Sequence, residues 1–140
     1  GNVVTGDDDQ TQFAIDCGAL HALSNLIYHK KKTVRKEVCW TLSNITAGND
    51  VQVQLCIDLG VIDKLLYLLI NDENEIKKEA VWAVSNSTSQ AVPQQFFYLV
   101  QKGILKGLCA VLAFPEPRVL AVALEGIDNV LKMGKEQFTQ

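Results

Sequence analysis

Between residues 34 and 48, Val34, Val38, Thr41, Leu42 and Ile45 gather on one stripe if the chain advances about 100° per residue. That stripe is the face a helix must bury. Trp40 and Asn44 lie elsewhere, both more than about 100° from its middle and on the same side. The layout returns further along: Ile76, Ala80, Val84 and Ser87 point inward, and Trp82 and Asn86 outward. A large aromatic held off the core twice, four residues ahead of an amide, reads as a binding surface.

The Trp/Asn pair belongs to a repeat that runs through the chain. Asn recurs at 2, 44, 86 and 129, in steps of 42, 42 and 43, and Gly recurs at 18, 60 and 103. Apolar residues travel with them: Ile15, Ile57 and Val100; Leu20, Ile62 and Leu105; Leu23, Leu65 and Leu108. Each unit divides into three helices. A short first helix (about 9–16, 51–59 and 94–102) ends at the recurring Gly, which suits a left-handed cap or tight turn. A second helix follows at about 19–29, 61–71 and 104–113, and a longer third at about 33–47, 75–89 and 117–133. Pro93 and Pro117 stand near helix starts, where a missing N–H costs nothing. A period of this size is the mark of an all-α, right-handed superhelical solenoid of armadillo or HEAT type. Three helices per unit, with Gly between the first two, favour armadillo.

Residues 1–140 are therefore expected to form one domain, with a partial unit at 1–6 and repeats at about 7–48, 49–90 and 91–134. Asn2 falls at the end of a third helix whose body would precede it, and the last residues stop where another unit would begin. Neither end resembles a polar capping unit. The expectation is an internal piece of a longer array, or a truncated member of such a family.

Composition narrows the function. An apolar share of 48% belongs to a folded domain. The formal charge of −3 argues against a general nucleic-acid binder and favours basic partners. Cys17, Cys39, Cys56 and Cys109 show no C-x-x-C spacing, and with His21 and His29 they assemble no metal site. Cys17, Cys39 and Cys56 sit in apolar helical patterns and read as buried, reduced thiols. No apolar run reaches membrane-spanning length, and the first residues do not look like a signal peptide. Asp7, Asp8 and Asp9 lack the further oxygen ligands a calcium loop needs. No phosphate loop, activated nucleophile or carboxylate pair appears, so neither an enzyme nor a cofactor is expected.

In such an array the third helices line the concave face. An Asn amide donates and accepts at once, so a row of Asn2, Asn44, Asn86 and Asn129 can hold the main chain of an extended peptide. Trp40 and Trp82 then wall in long side chains. Lys and Arg fit best, with the stem on the indole and the charge over the ring. Glu37, Glu79 and the three aspartates add negative charge nearby.

The strings GNVVTGDDDQTQ, CWTLSNITAG and KKEAVWAVSNSTS resemble the importin-α family, adaptors that recognise nuclear localisation signals. The likeness spans essentially the whole chain and is similar to the C-terminal half of the family's array, around its minor signal site. It implies that Asn2, Asn44 and Asn86 hold the peptide backbone while Trp40 and Trp82 flank its basic side chains. It further implies that Val4, Thr11 and Asn44 form the pocket for the most deeply held lysine, and that Glu79 pairs with a neighbouring basic residue. Glu37 and Asn129 are weaker candidates. Basic cargo is the implied partner, with cytoplasm and nucleus as location. Importin-β and an export receptor would be engaged only through regions not found here. The last unit departs from the ladder, with Glu125 in the Trp position before Asn129. Two other readings remain: an armadillo scaffold for a folded partner, and self-association through uncapped ends.

Overall fold

The computed structural model describes residues 8–16 and 18–138, and every regular element among them is helical. The first unit contains α1 (Asp8–Asp16), α2 (Ala19–Leu26) and α3 (Lys32–Thr46). The second contains α4 (Asp50–Asp58), α5 (Val61–Asn71) and α6 (Asn74–Ser89), and the third α7 (Pro93–Gln101), α8 (Ile104–Cys109) and α9 (Pro117–Phe138). Pro93 and Pro117 open their helices, as their missing N–H groups allow.

Gly18, Gly60 and Gly103 join the first helix of each unit to the second with φ of 91°, 72° and 88°. They alone among the described residues adopt positive φ. That conformation turns the chain sharply while keeping both helices against the core. The second helix α5 runs as the periodicity suggests, whereas α2 and α8 are shorter than expected. After Cys109, hydrogen bonds run from Val111 to Leu108, Leu112 to Cys109 and Phe114 to Val111, a tighter three-residue pattern. The tightening still brings Val111 fully inside.

The third helices lie side by side, α3 on α6 and α6 on α9, while α5 packs on both α6 and α8. One continuous apolar cluster runs between the layers, through Leu42, Ile45, Ile62, Leu65, Ile76, Val84, Ile104 and Leu108. Polar cross-links fix the units to one another. Arg35 bridges to Asp72 of the next unit through Nε–Oδ2 at 2.8 Å and Nη2–Oδ1 at 3.1 Å, and its Nη1 donates to the His29 carbonyl. Gln52 is fully buried and donates to Gln12 Oε1 at 3.4 Å, while Gln95 donates to Gln54 Oε1 at 3.0 Å and to the Asp50 carbonyl at 2.9 Å. Such pairs satisfy amides that would be costly to bury alone.

Cys39 and Cys56 are fully buried, as their patterns suggested, and Cys17 lies outside the described residues. Burial pushes both thiols up to about 12, helped at Cys39 by the negative charges of Asp72 and Glu79. The thiol form is thus favoured in the folded state. Stability linked to these groups is complete below the ordinary thiol value of 9.0 and is lost as pH rises toward about 12. Denaturant titrations between pH 8 and 11 should show unfolding free energy falling with pH. At pH 8 a thiol reagent should modify the exposed Cys109 and leave Cys39 and Cys56 unmodified until the protein unfolds. A second expectation concerns the turns: Gly60→Ala meets no neighbouring atom within 4 Å, so its cost is backbone strain alone. Urea denaturation should register a loss of about 1–2 kcal/mol.

Candidate functional site

The site is built from the stacked third helices. Residues four apart on a helix are neighbours, so Trp40 sits beside Asn44 on α3 and Trp82 beside Asn86 on α6. The two indoles are not equivalent. Trp40 is 38% exposed, whereas Trp82 is half-buried and packs against the apolar cluster. The expectation that both point away from the core therefore holds fully only for Trp40. The cause is that α6 has a third helix on each flank, α3 and α9, while among the described elements α3 has one on a single flank. The same contact buries Cys39 and Ser43, which lie off the stripe read from the sequence, and leaves Val34 and Thr41 partly open.

Asn44 and Asn86 face the groove, while Asn86 and Asn129 tie neighbouring helices together. Asn86 Nδ2 donates to the Ser43 carbonyl of α3 at 2.9 Å, and Asn129 Nδ2 donates to Thr88 Oγ1 of α6 at 3.0 Å. Asn44 makes a long contact within its own helix, to the Trp40 carbonyl at 3.4 Å. An amide with one N–H engaged still has a second N–H and a carbonyl oxygen to offer.

A groove of about 480 Å³ brings Trp40, Asn44, Glu79, Trp82 and Asn86 onto one surface. Five of the residues singled out from the sequence thus converge. A smaller hollow of about 260 Å³ continues past Trp40, between Glu37 and Glu79 with Lys36 at its rim. Thr11 does not line either hollow: it is 4% exposed, inside the first turns of α1. Asn2 and Val4 lie outside the described residues. Asn129 follows the ladder onto α9 but does not border the groove.

Sequence reasoning missed the far wall. Ser43, Lys78, Glu116, Arg118 and Val119 complete the lining, and Lys78 forms an ion pair with Glu116 across the junction of α6 and α9. Ser43 carried a signal, since Ser85 repeats it 42 residues on. Glu116 and Arg118 flank Pro117 at the expected junction of a loop and the third helix, with no sign in the sequence that they face the groove. Among the described residues, no grouping of His, Cys, Asp and Glu could hold a metal ion, and no helix is long and apolar enough to cross a membrane. The arrangement is suited to non-covalent binding of an extended, hydrogen-bonding ligand with long side chains.

Comparison with known proteins agrees with this architecture. The chain matches the armadillo/β-catenin-like repeat family over residues 7–47 and 49–86, and it belongs to that family. The particular relatives are importin subunits alpha. Importin subunit alpha-1b of Oryza sativa subsp. japonica is 51% identical over 138 residues, covering 98% of this chain and 26% of that protein. Importin subunit alpha-2 of Arabidopsis thaliana is 65% identical over 107 residues, covering 76% of this chain and 20% of its own length. The chain thus spans about a quarter of the length of the curated relatives it matches. Among solved structures, the designed armadillo repeat protein YIII(Dq.V1)4CPAF in complex with peptide (KR)4 superposes with a TM-score of 0.87 at 32% identity, over 96% of this chain and 59% of that one. The designed armadillo repeat protein YIII(Dq)4CqI gives 0.86 at 29% identity, over 92% and 54%. The resemblance to the importin-α family read from the sequence is borne out by these relatives.

The unequal burial of the indoles can be checked directly. In acrylamide quenching, the Trp82→Phe protein, which keeps Trp40, should quench more steeply and emit at longer wavelength than the Trp40→Phe protein. Equal quenching would contradict the difference in burial.

Proposed function

We propose that this chain is an importin-α-type adaptor module that receives extended Lys/Arg-rich segments, of the kind that signal nuclear import, along the Trp40–Trp82 groove. One observation carries the reading: Trp40, Asn44, Glu79, Trp82 and Asn86 line a single groove. Each indole in contact with a Lys or Arg contributes about 0.5–2 kcal/mol, more where water is excluded. The asparagines meet the peptide's amides without regard to sequence, so side-chain selection falls to the indoles and to Glu37 and Glu79. Support comes from the names of the relatives and from the (KR)4 peptide held by a structural neighbour. Residues 1–140 act in this reading as one stack of repeats, working in cytoplasm and nucleus.

Asn2, Val4 and Thr11 take a lesser place in the proposal. Thr11 would reach a ligand only if α1 shifted, because it is buried where α1 now lies. Affinity should be modest, since a peptide gains more from two linked sites than from one.

The test is a fluorescence-polarisation titration of a lysine-rich peptide against this chain and a Trp40→Ala/Asn44→Ala double variant, each shown to be folded by circular dichroism. Binding to the wild type should saturate, weaken with added salt, and fall by at least about tenfold in the variant. Equal binding by both proteins would sink the groove reading and leave a scaffold for a folded partner as the better account.

A further inference from the structure

The charges around the groove are not all of one sign. Glu37 and Glu79 stand beside Trp40, at the α3 side. At the α9 side the walls carry Lys78, Glu116 and Arg118. Lys78 and Glu116 neutralise each other in their ion pair. Arg118 is exposed in the first turn of α9 and has no ion-pair partner among the described residues. A segment basic along its whole length would therefore bring one of its cations against a free guanidinium.

A second, independent observation points the same way. The indole ladder stops at α6, because Glu125 occupies the position 43 residues after Trp82. Without an aromatic wall on α9, nothing there can receive the stem of a Lys or Arg as Trp40 and Trp82 do. Glu125 lies two turns beyond Arg118 on α9 and does not border the groove. What the α9 end presents to a guest is the planar fork of Arg118, whose geometry matches a carboxylate.

We infer that Arg118 is a specificity residue: the groove takes bipolar segments, with Lys or Arg seated between Trp40 and Trp82 and an Asp or Glu facing Arg118. The inference rests on the peptide-groove reading above and adds to it a required order of charge. Its register follows from geometry. Packed helices are about 10 Å apart, and an extended chain advances about 3.3 Å per residue. The seam between the indoles lies about one and a half helix spacings from α9, so the acidic residue stands about four to five positions from the basic residue held there.

The experiment uses fluorescent peptides sharing one short Lys/Arg core. About four or five positions from the core, on its N-terminal side in one set and its C-terminal side in another, the peptides carry Asp, Ala or Lys. Each is titrated against the wild-type chain, Arg118→Ala and Arg118→Glu, with folding checked by circular dichroism. In one of the two sets, Asp should bind the wild type about two- to fivefold more tightly than Ala, and Lys more weakly. That preference should vanish in Arg118→Ala and turn toward Lys in Arg118→Glu. Equal binding of Asp, Ala and Lys in both sets, or a preference unchanged in Arg118→Ala, would overturn the role of Arg118 while leaving the groove reading intact. Failure of the Ala-flanked peptides to bind the wild type would instead overturn the groove reading, and this inference with it.

Discussion

Because α6 packs on α3 with one flank and on α9 with the other, nearly every feature of the molecule is decided at those two contacts. Together with α5 they bury Ile76, Ala80, Val81 and Val84 completely, and each large aliphatic side chain so buried contributes about 1.5–3 kcal/mol. They also set the spacing between successive indoles and amides. A groove made this way has no floor of its own; it is the seam between neighbouring helices. Its width follows from the size of the side chains packed beneath it, and its chemistry from the residues left along the edge.

Polar cross-links keep that seam in register. The Arg35–Asp72 fork joins the start of the third helix of one unit to the end of the second helix of the next. Gln52 and Gln95 reach back from one first helix to another, and Ser85 Oγ donates to the Val122 carbonyl at 2.8 Å. Apolar contact alone would tolerate sliding, because it is non-directional. Hydrogen bonds between buried groups do not, since a slipped unit would leave donors and acceptors unsatisfied.

Much of the fold was legible because it is written locally and repeatedly. The glycine spacing gave the turns, the prolines marked helix starts, and the apolar stripes named Val38, Leu42, Ile45 and Ile76 as core. What depended on a neighbouring unit was harder to see. A single-helix projection cannot know that α9 will lean on α6 and half-cover Trp82, or that α6 will bury Cys39. The tight end of α8 reflects a change of hydrogen bonding that composition does not announce. The glutamine cross-links could have been found, since Gln10, Gln52 and Gln95 keep the same 42- and 43-residue steps as the asparagines. Of the site, the indoles, amides and Glu79 were readable from spacing. Lys78, Glu116 and Arg118 were not, because their roles arise only where two units meet.

Asn86 belongs to the stack and to the groove at once: one N–H holds the Ser43 carbonyl of the neighbouring helix, and the rest of the amide is free for a guest. In the proposed reading, recognition and cohesion are therefore thermodynamically linked through a single side chain. A peptide that accepts the second N–H splints two units together and should slow their peeling apart. One that competes for the first N–H pries them open. On that reading the array would favour guests that leave its own seams closed.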